Sequence, residues 1–160
     1  SFQRLAIMGN GTFITTGTTE DVFKNPRTVG GARLTGCKNI SSVRKVDAPH
    51  YEAVDWGLTL YVEEPPLINP ESVGIRAHDL IVRKETKGTQ AAPNTFCLRC
   101  AEHMETPFED IFLLTSDPSS AQPLWWKRAK TSAQEETYPT DTSYSVTLPE
   151  ADLIWLEDRL

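Results

Sequence analysis

The segment Cys97-Leu-Arg-Cys100-Ala-Glu-His103 places two thiols and an imidazole within one short run. That is a zinc-like set of soft and borderline ligands, wanting a fourth ligand from elsewhere. The alternative is two small buried thiols and a surface histidine on a strand. Residues three apart on a strand point to opposite faces, which would separate Cys97 from Cys100. No second Cys-x-x-Cys completes the set, and Cys37 stands apart. Arg76, His78 and Asp79 gather a guanidinium, an imidazole and a carboxylate. The arginine can support a loop carbonyl or bind a carboxylate. Lys38 and Asn39 follow Gly36, a residue type suited to ending a helix, and either bind an oxyanion or line a linker. His50, His78 and His103 lie in different settings, with no nucleophile, base and orienting acid at a readable spacing. A Gly-x-x-x-x-Gly-Lys-[Ser/Thr] phosphate loop is also missing, so the chain is not expected to bind or hydrolyse ATP by itself.

The elements that must position these residues are mostly strands. Leu58, Leu60 and Val62 alternate with Thr59, Tyr61 and Glu63, a half-buried strand that Glu64-Pro-Pro66 ends. Short strands are expected over 73–75, 80–82, 96–104, 124–127 and 144–148. The continuous Ile111-Phe-Leu-Leu114 predicts a strand covered on both faces. Residues 150–156 fit a helical turn or a last strand. Loops are expected over 87–94, 117–122 and 131–143, the last having the fewest apolar residues. No internal repeat is apparent. Short strands at this spacing predict a small barrel or sandwich. Trp125 and Trp126 point to opposite strand faces, which predicts one core residue and one interface candidate.

Residues 4–26 read as a hairpin and a short helix. Leu5–Met8 and the Thr-rich 12–16 flank Gly9-Asn10-Gly11, whose residues tolerate positive φ. Thr18 is positioned to cap a helix, with Asp21 completing a capping box, and Asn25-Pro26 stops it and starts another. The order of these pieces resembles the end of the nucleotide-binding domain in ATP-binding subunits of ABC importers. There, Met-x-x-Gly is followed by Ile-x-x-x-Gly-Thr-Pro-Glu-Glu-[Val/Ile/Leu]-[Phe/Tyr]-x-x-Pro. Met8, Gly11, Gly17, Thr18, Glu20, Asp21, Val22, Phe23 and Pro26 match, and Thr19 replaces the usual proline. Ala32-Arg-Leu-Thr-Gly36-Cys-Lys-Asn39-Ile40 is similar to the exit from that domain in molybdate- and sulfate-type importers. Val73-Gly-Ile-Arg76-Ala-His-Asp-Leu80 resembles the Gly-Ile-Arg-Pro-Glu-His-Leu signature of the C-terminal regulatory (TOBE, OB-like) domain, departing at Ala77, His78 and Asp79.

The resemblance implies a regulatory and dimerising domain beside an ATPase that energises solute uptake. Its expected partners are a second copy, the nucleotide-binding domain and membrane permease subunits. ATP and Mg belong to the full-length parent, and the setting is the cytoplasmic face of the membrane. Two other readings stand beside it: an OB-like module that itself binds oxyanion, and a zinc-stabilised interaction domain.

Charge divides the chain. Residues 1–46 hold seven Lys/Arg against two Asp/Glu, and residues 47–160 hold nine against twenty. This predicts an α/β remnant over 1–46 and an OB-like β domain over 47–160. An acidic main part excludes nucleic acid, whose phosphates demand a basic face. Hydrophobic residues at 39% describe an ordinary globular chain, without an apolar run of the ~20 residues that span a bilayer. Three unevenly spaced cysteines fit a reducing compartment rather than a disulfide framework.

Overall fold

The computed structural model describes residues 4–9, 12–117, 122–131 and 136–160. β1 (Arg4–Gly9) and β2 (Thr12–Thr18) form an antiparallel hairpin, followed by α1 (Thr19–Lys24). Residues 10 and 11 of the expected turn, and the side chain of the expected cap Thr18, lie outside the described residues. α2 (Val29–Leu34) starts later than Pro26 suggests. Arg27 sits at φ 64°, in the left-handed region, which interrupts any helix begun at the proline. Thr28 supplies the cap instead, its Oγ1 accepting a hydrogen bond from Gly31 N at 3.0 Å. Gly36 takes the positive φ of 89° that reverses the chain after α2.

Ten further strands follow among the described residues. They are β3 (Asn39–Asp47), β4 (His50–Ala53), β5 (Leu58–Tyr61), β6 (Ser72–Ile75), β7 (Ile81–Arg83), β8 (Thr95–Glu105), β9 (Glu109–Thr115), β10 (Leu124–Ala129), β11 (Ser143–Thr147) and β12 (Ile154–Leu156). A 3-10 turn over Glu150–Asp152 precedes β12, so residues 150–156 hold both a turn and a strand. β3 and β4 add to the strands legible in the sequence. β3 hides its type because it starts with buried Asn39 and Ser41 and ends in exposed charges. It also runs through the division expected between residues 46 and 47.

Two antiparallel sheets result, ordered β12-β6-β3-β4-β5 and β7-β11-β8-β9-β10. Strand for strand these are the same sheet. β3 to β6 correspond to β8 to β11, and the fifth strand of each half crosses to the other half's sheet. The β structure from β3 onward is therefore an internal duplication with exchanged last strands. Sequence traces survive at the crossing. Ser72-Val73-x-Ile75-x-x-x-Asp79-Leu80-Ile81 recurs as Ser145-Val146-x-Leu148-x-x-x-Asp152-Leu153-Ile154. The reading that no repeat exists is corrected: the repeat is short, and most of each half has diverged.

Because the last strands are exchanged, the two halves share one core. Trp56, Leu58, Leu60, Val73 and Ile75 from the first meet Leu98, Phe112, Leu114, Trp126 and Val146 from the second. Burying a side chain of this size contributes about 1.5–3 kcal/mol. Tyr138, in the loop with few apolar residues, joins this core and packs edge-on against Trp126 at 5.0 Å. Phe112 and Leu114 are buried while Ile111 and Leu113 are only partly covered, so β9 has one fully buried face rather than two. A smaller cluster of Val29, Ala32, Cys37, Ile40, Ile154 and Leu156 seats α2 on β12. Asp158 Oδ1 accepts from Val29 N at 2.8 Å and fixes that contact.

Candidate functional site

Clefts among the described residues differ in charge. One, of about 580 Å³, mixes Lys24 and Arg76 with Asp79 and Asp152. Another, of about 650 Å³, is acidic, with Glu63, Glu64 and Glu150. A third, of about 430 Å³, combines His103, Arg128 and Lys130 with Glu105, Asp110 and Glu136. The fourth, of about 460 Å³, is lined by Arg33, Cys37, Lys38, Ile40, Gln122 and Leu160. Its charged side chains are cations alone. Neither Arg33 nor Lys38 makes an ion pair with a described residue.

The local sequence explains how this cleft is held. Gly36 turns the chain out of α2, leaving Arg33 on the last helical turn and Lys38 just before β3. Cys37 is buried beneath them, its thiol donating to Asn39 O at 3.4 Å, and burial raises its pKa. Gly74 makes the close packing possible, since a Cβ there would lie 3.1 Å from Asn39 O and 3.2 Å from Cys37 Sγ.

Asn39 is 2% exposed and grips the opposite edge strand. Its Nδ2 donates to Trp125 O at 2.8 Å and its Oδ1 accepts from Trp125 N at 2.7 Å. This joins the start of β3 to β10 and brings Gln122, just before β10, to Lys38. The second half repeats the device. Asn94 Nδ2 donates to Tyr61 O at 2.9 Å, and Asn94 Oδ1 accepts from Tyr61 N at 2.7 Å. Each asparagine thus closes one sheet onto the edge of the other. Pro93 stands before Asn94 where Lys38 stands before Asn39, so the second half lacks that cation.

The other expected site residues disperse. The Arg76 guanidinium donates to Phe23 O and Thr35 O, both at 2.7 Å, and lies 4.0 Å over the Phe23 ring. It anchors α1 and the end of α2 to β6. His78 pairs with Glu109 at 2.7 Å on the surface. Asp79 instead approaches its repeat mate Asp152, whose pKa is raised by burial and then by Asp79. Trp126 is a core residue, 8% exposed and stacked on Phe112 at 4.8 Å. Trp125 is half-buried, with its backbone held by Asn39.

The Cys97, Cys100 and His103 set does not assemble. Cys97 is exposed and Cys100 is buried, on opposite faces of β8. Among the described residues, the group able to approach one metal ion is His103, Glu105 and Asp110. Arg33, Gln122 and Asn94 had no sequence signal of their own, although an asparagine at the head of two corresponding strands is a trace of the repeat.

No family model and no curated protein sequence matches the chain. Among solved structures, the cytoplasmic molybdate-binding protein ModG, with molybdate bound, is similar at a TM-score of 0.54 and 11% identity. The match covers 77% of this chain and 98% of that one. This likeness shows the fold: mainly β and OB-like. Among the described residues, no helix is long and apolar enough to cross a membrane.

Proposed function

We propose that this chain is an oxyanion-sensing regulatory module belonging to the ATP-binding subunit of an ABC importer, with molybdate as the first candidate anion and sulfate as the second. The observation that carries the reading is the cleft beside Asn39. Arg33, Lys38 and the Gln122 amide offer donors to a tetrahedral dianion, and no acidic side chain lines the cleft. Charge-assisted hydrogen bonds of this kind are roughly twice as strong as neutral ones. A local cationic pocket of this type overrides the field of a chain whose net charge is −6. Fold likeness to a molybdate-binding protein supports the class of anion, and the sequence resemblance over residues 4–40 and 73–80 supports the importer setting.

In that setting the segment before β3 corresponds to the end of the ATPase domain, and the β structure from β3 onward, rather than from residue 47, to the regulatory domain. Arg76 ties the end of α2, next to the anion cleft, to α1, because it bonds both Phe23 and Thr35. The nucleotide-binding domain, the permease subunits and a second copy of the chain are the partners, and ATP and Mg are bound by the parent.

The test is calorimetry with molybdate, tungstate, sulfate and phosphate. The reading expects saturable binding of at least one tetrahedral dianion, weakened by Lys38→Ala and by Arg33→Ala and reduced by added salt. Absence of binding by all four anions contradicts it, as does binding that both variants leave intact.

A further inference from the structure

The geometry points to a divalent transition-metal site at the outer end of the β8–β9 hairpin, formed by His103, Glu105 and Asp110. Nothing in the anion reading requires it.

A β-bulge creates the grouping. The β8–β9 register shifts between Cys100 and Glu102. Up to Cys100, opposite Leu114, alternate residues face the core. Regular alternation would next turn Glu102 and Met104 inward. The extra residue reverses this, so His103 lies opposite Phe112 and Glu105 opposite Asp110. Bulges re-aim side chains in this way. One face of the hairpin then carries an imidazole and two carboxylates, with ligand atoms all within 4.8 Å of one another.

The imidazole and Asp110 are already oriented. The His103 ring stacks on Phe112 at 4.4 Å with an interplanar angle of 2°. Its Nε2 faces Asp110 Oδ1 at 3.1 Å. Asp110 is nearly buried, and its other oxygen, Oδ2, lies 3.5 Å from Arg128 Nε. Arg128 is itself packed against the rings of Phe112, Trp126 and Tyr138. A partner on the outer oxygen holds a ligating carboxylate in one orientation, as the outer shell of metal sites does. Glu105 is exposed, and Lys130 Nζ is 3.4 Å from its Oε2. Rotation of this exposed side chain away from Lys130 closes the remaining gap. One nitrogen and two carboxylate oxygens suit zinc, nickel or cobalt, whereas calcium and magnesium favour all-oxygen sites. The cleft of about 430 Å³ at this end leaves room for water to complete the coordination. Lys130 competes with the ion for Glu105, so the site binds less tightly than a closed structural site.

The first half has no counterpart. Its β3–β4 hairpin ends at Asp47 and His50, outside any such group among the described residues.

The probe is zinc chloride, titrated calorimetrically into the Cys97→Ser chain, which removes the exposed thiol as a rival ligand. One saturable site at micromolar zinc is expected. Glu105→Gln, at an exposed position that folding does not depend on, should weaken it by at least about tenfold. Lys130→Ala should tighten it. Glu102→Gln, a neighbour on the opposite face, should change nothing. No saturable uptake overturns the proposal. So does undiminished binding in Glu105→Gln, equal loss in Glu102→Gln, or no gain in Lys130→Ala.

Discussion

The two halves of the duplicated β structure share a backbone plan and differ in the chemistry placed on it. Both close with a buried asparagine on the opposite edge strand, and both cross over through a Ser-Val to Asp-Leu-Ile run. Where the halves face outward they part. Lys38 corresponds to Pro93, and Arg76 corresponds to Pro149. The first half therefore has a cation beside its clamp and a guanidinium reaching the N-terminal segment, and the second has neither. The second half has a longer hairpin and an aromatic stack running from His103 through Phe112 and Trp126 to Tyr138. Contacts that satisfy backbone groups have been kept in both copies, while surface charges diverged. A buried peptide group left without a partner is costly in either half, whereas an exposed side chain answers only to its own site.

The sharpest way to break this comparison is to cut the clamps. Asn39→Ala and Asn94→Ala each orphan a backbone N–H and C=O, at about 1–3 kcal/mol for each buried group left unpaired. Urea unfolding should show comparable losses for the two variants. If one is neutral while the other is damaging, the halves are not equivalent in the way described.

A smaller effect is expected at Arg76, whose counterpart Pro149 has no such task. Arg76→Ala removes hydrogen bonds to Phe23 and Thr35, worth about 1–2 kcal/mol in sum because they are partly solvated. The loss should appear as local opening, with faster hydrogen exchange over residues 22–36 and little change in β8 to β11. Uniform acceleration across both halves would show that Arg76 supports the whole fold instead.

The smallest effect concerns the repeated aspartates. Burial and then Asp79 raise the Asp152 pKa from its ordinary value. A carboxyl raised on folding contributes its full stability below its unfolded pKa and loses it as pH rises through the folded value. Asp152→Asn removes this dependence. The stability difference between variant and wild type should therefore grow in favour of the variant as pH climbs from about 3 to 7. A difference that stays flat, or shrinks with rising pH, contradicts the burial of Asp152 and its placement beside Asp79.

Most strands were legible because apolar residues alternate cleanly, as at Leu58, Leu60 and Val62. β3 was not, since its buried positions include Asn39 and Ser41, which hydrogen-bond to the backbone of Trp125 and Asp55 rather than pack by size. The duplication was obscured for a related reason. Its conserved positions are few and scattered, and the strand exchange becomes visible only when the pairing of β12 with β6 and β7 with β11 is known. The candidate sites were half legible. Lys38 and His103 stand out by type, but their companions Arg33, Gln122, Glu105 and Asp110 are brought to them by a helix turn, an edge strand and a bulge. The Cys-x-x-Cys spacing pointed to chemistry that strand geometry forbids.

The most direct test of the central claim, that anion recognition belongs to the single cleft beside Asn39 and has no counterpart beside Asn94, is the stoichiometry of molybdate bound at equilibrium dialysis. The wild-type chain should bind one molybdate, and the Arg33→Ala, Lys38→Ala double variant should bind none while retaining its folded circular dichroism spectrum. Two molybdates per chain, or one retained by the double variant, would contradict the account.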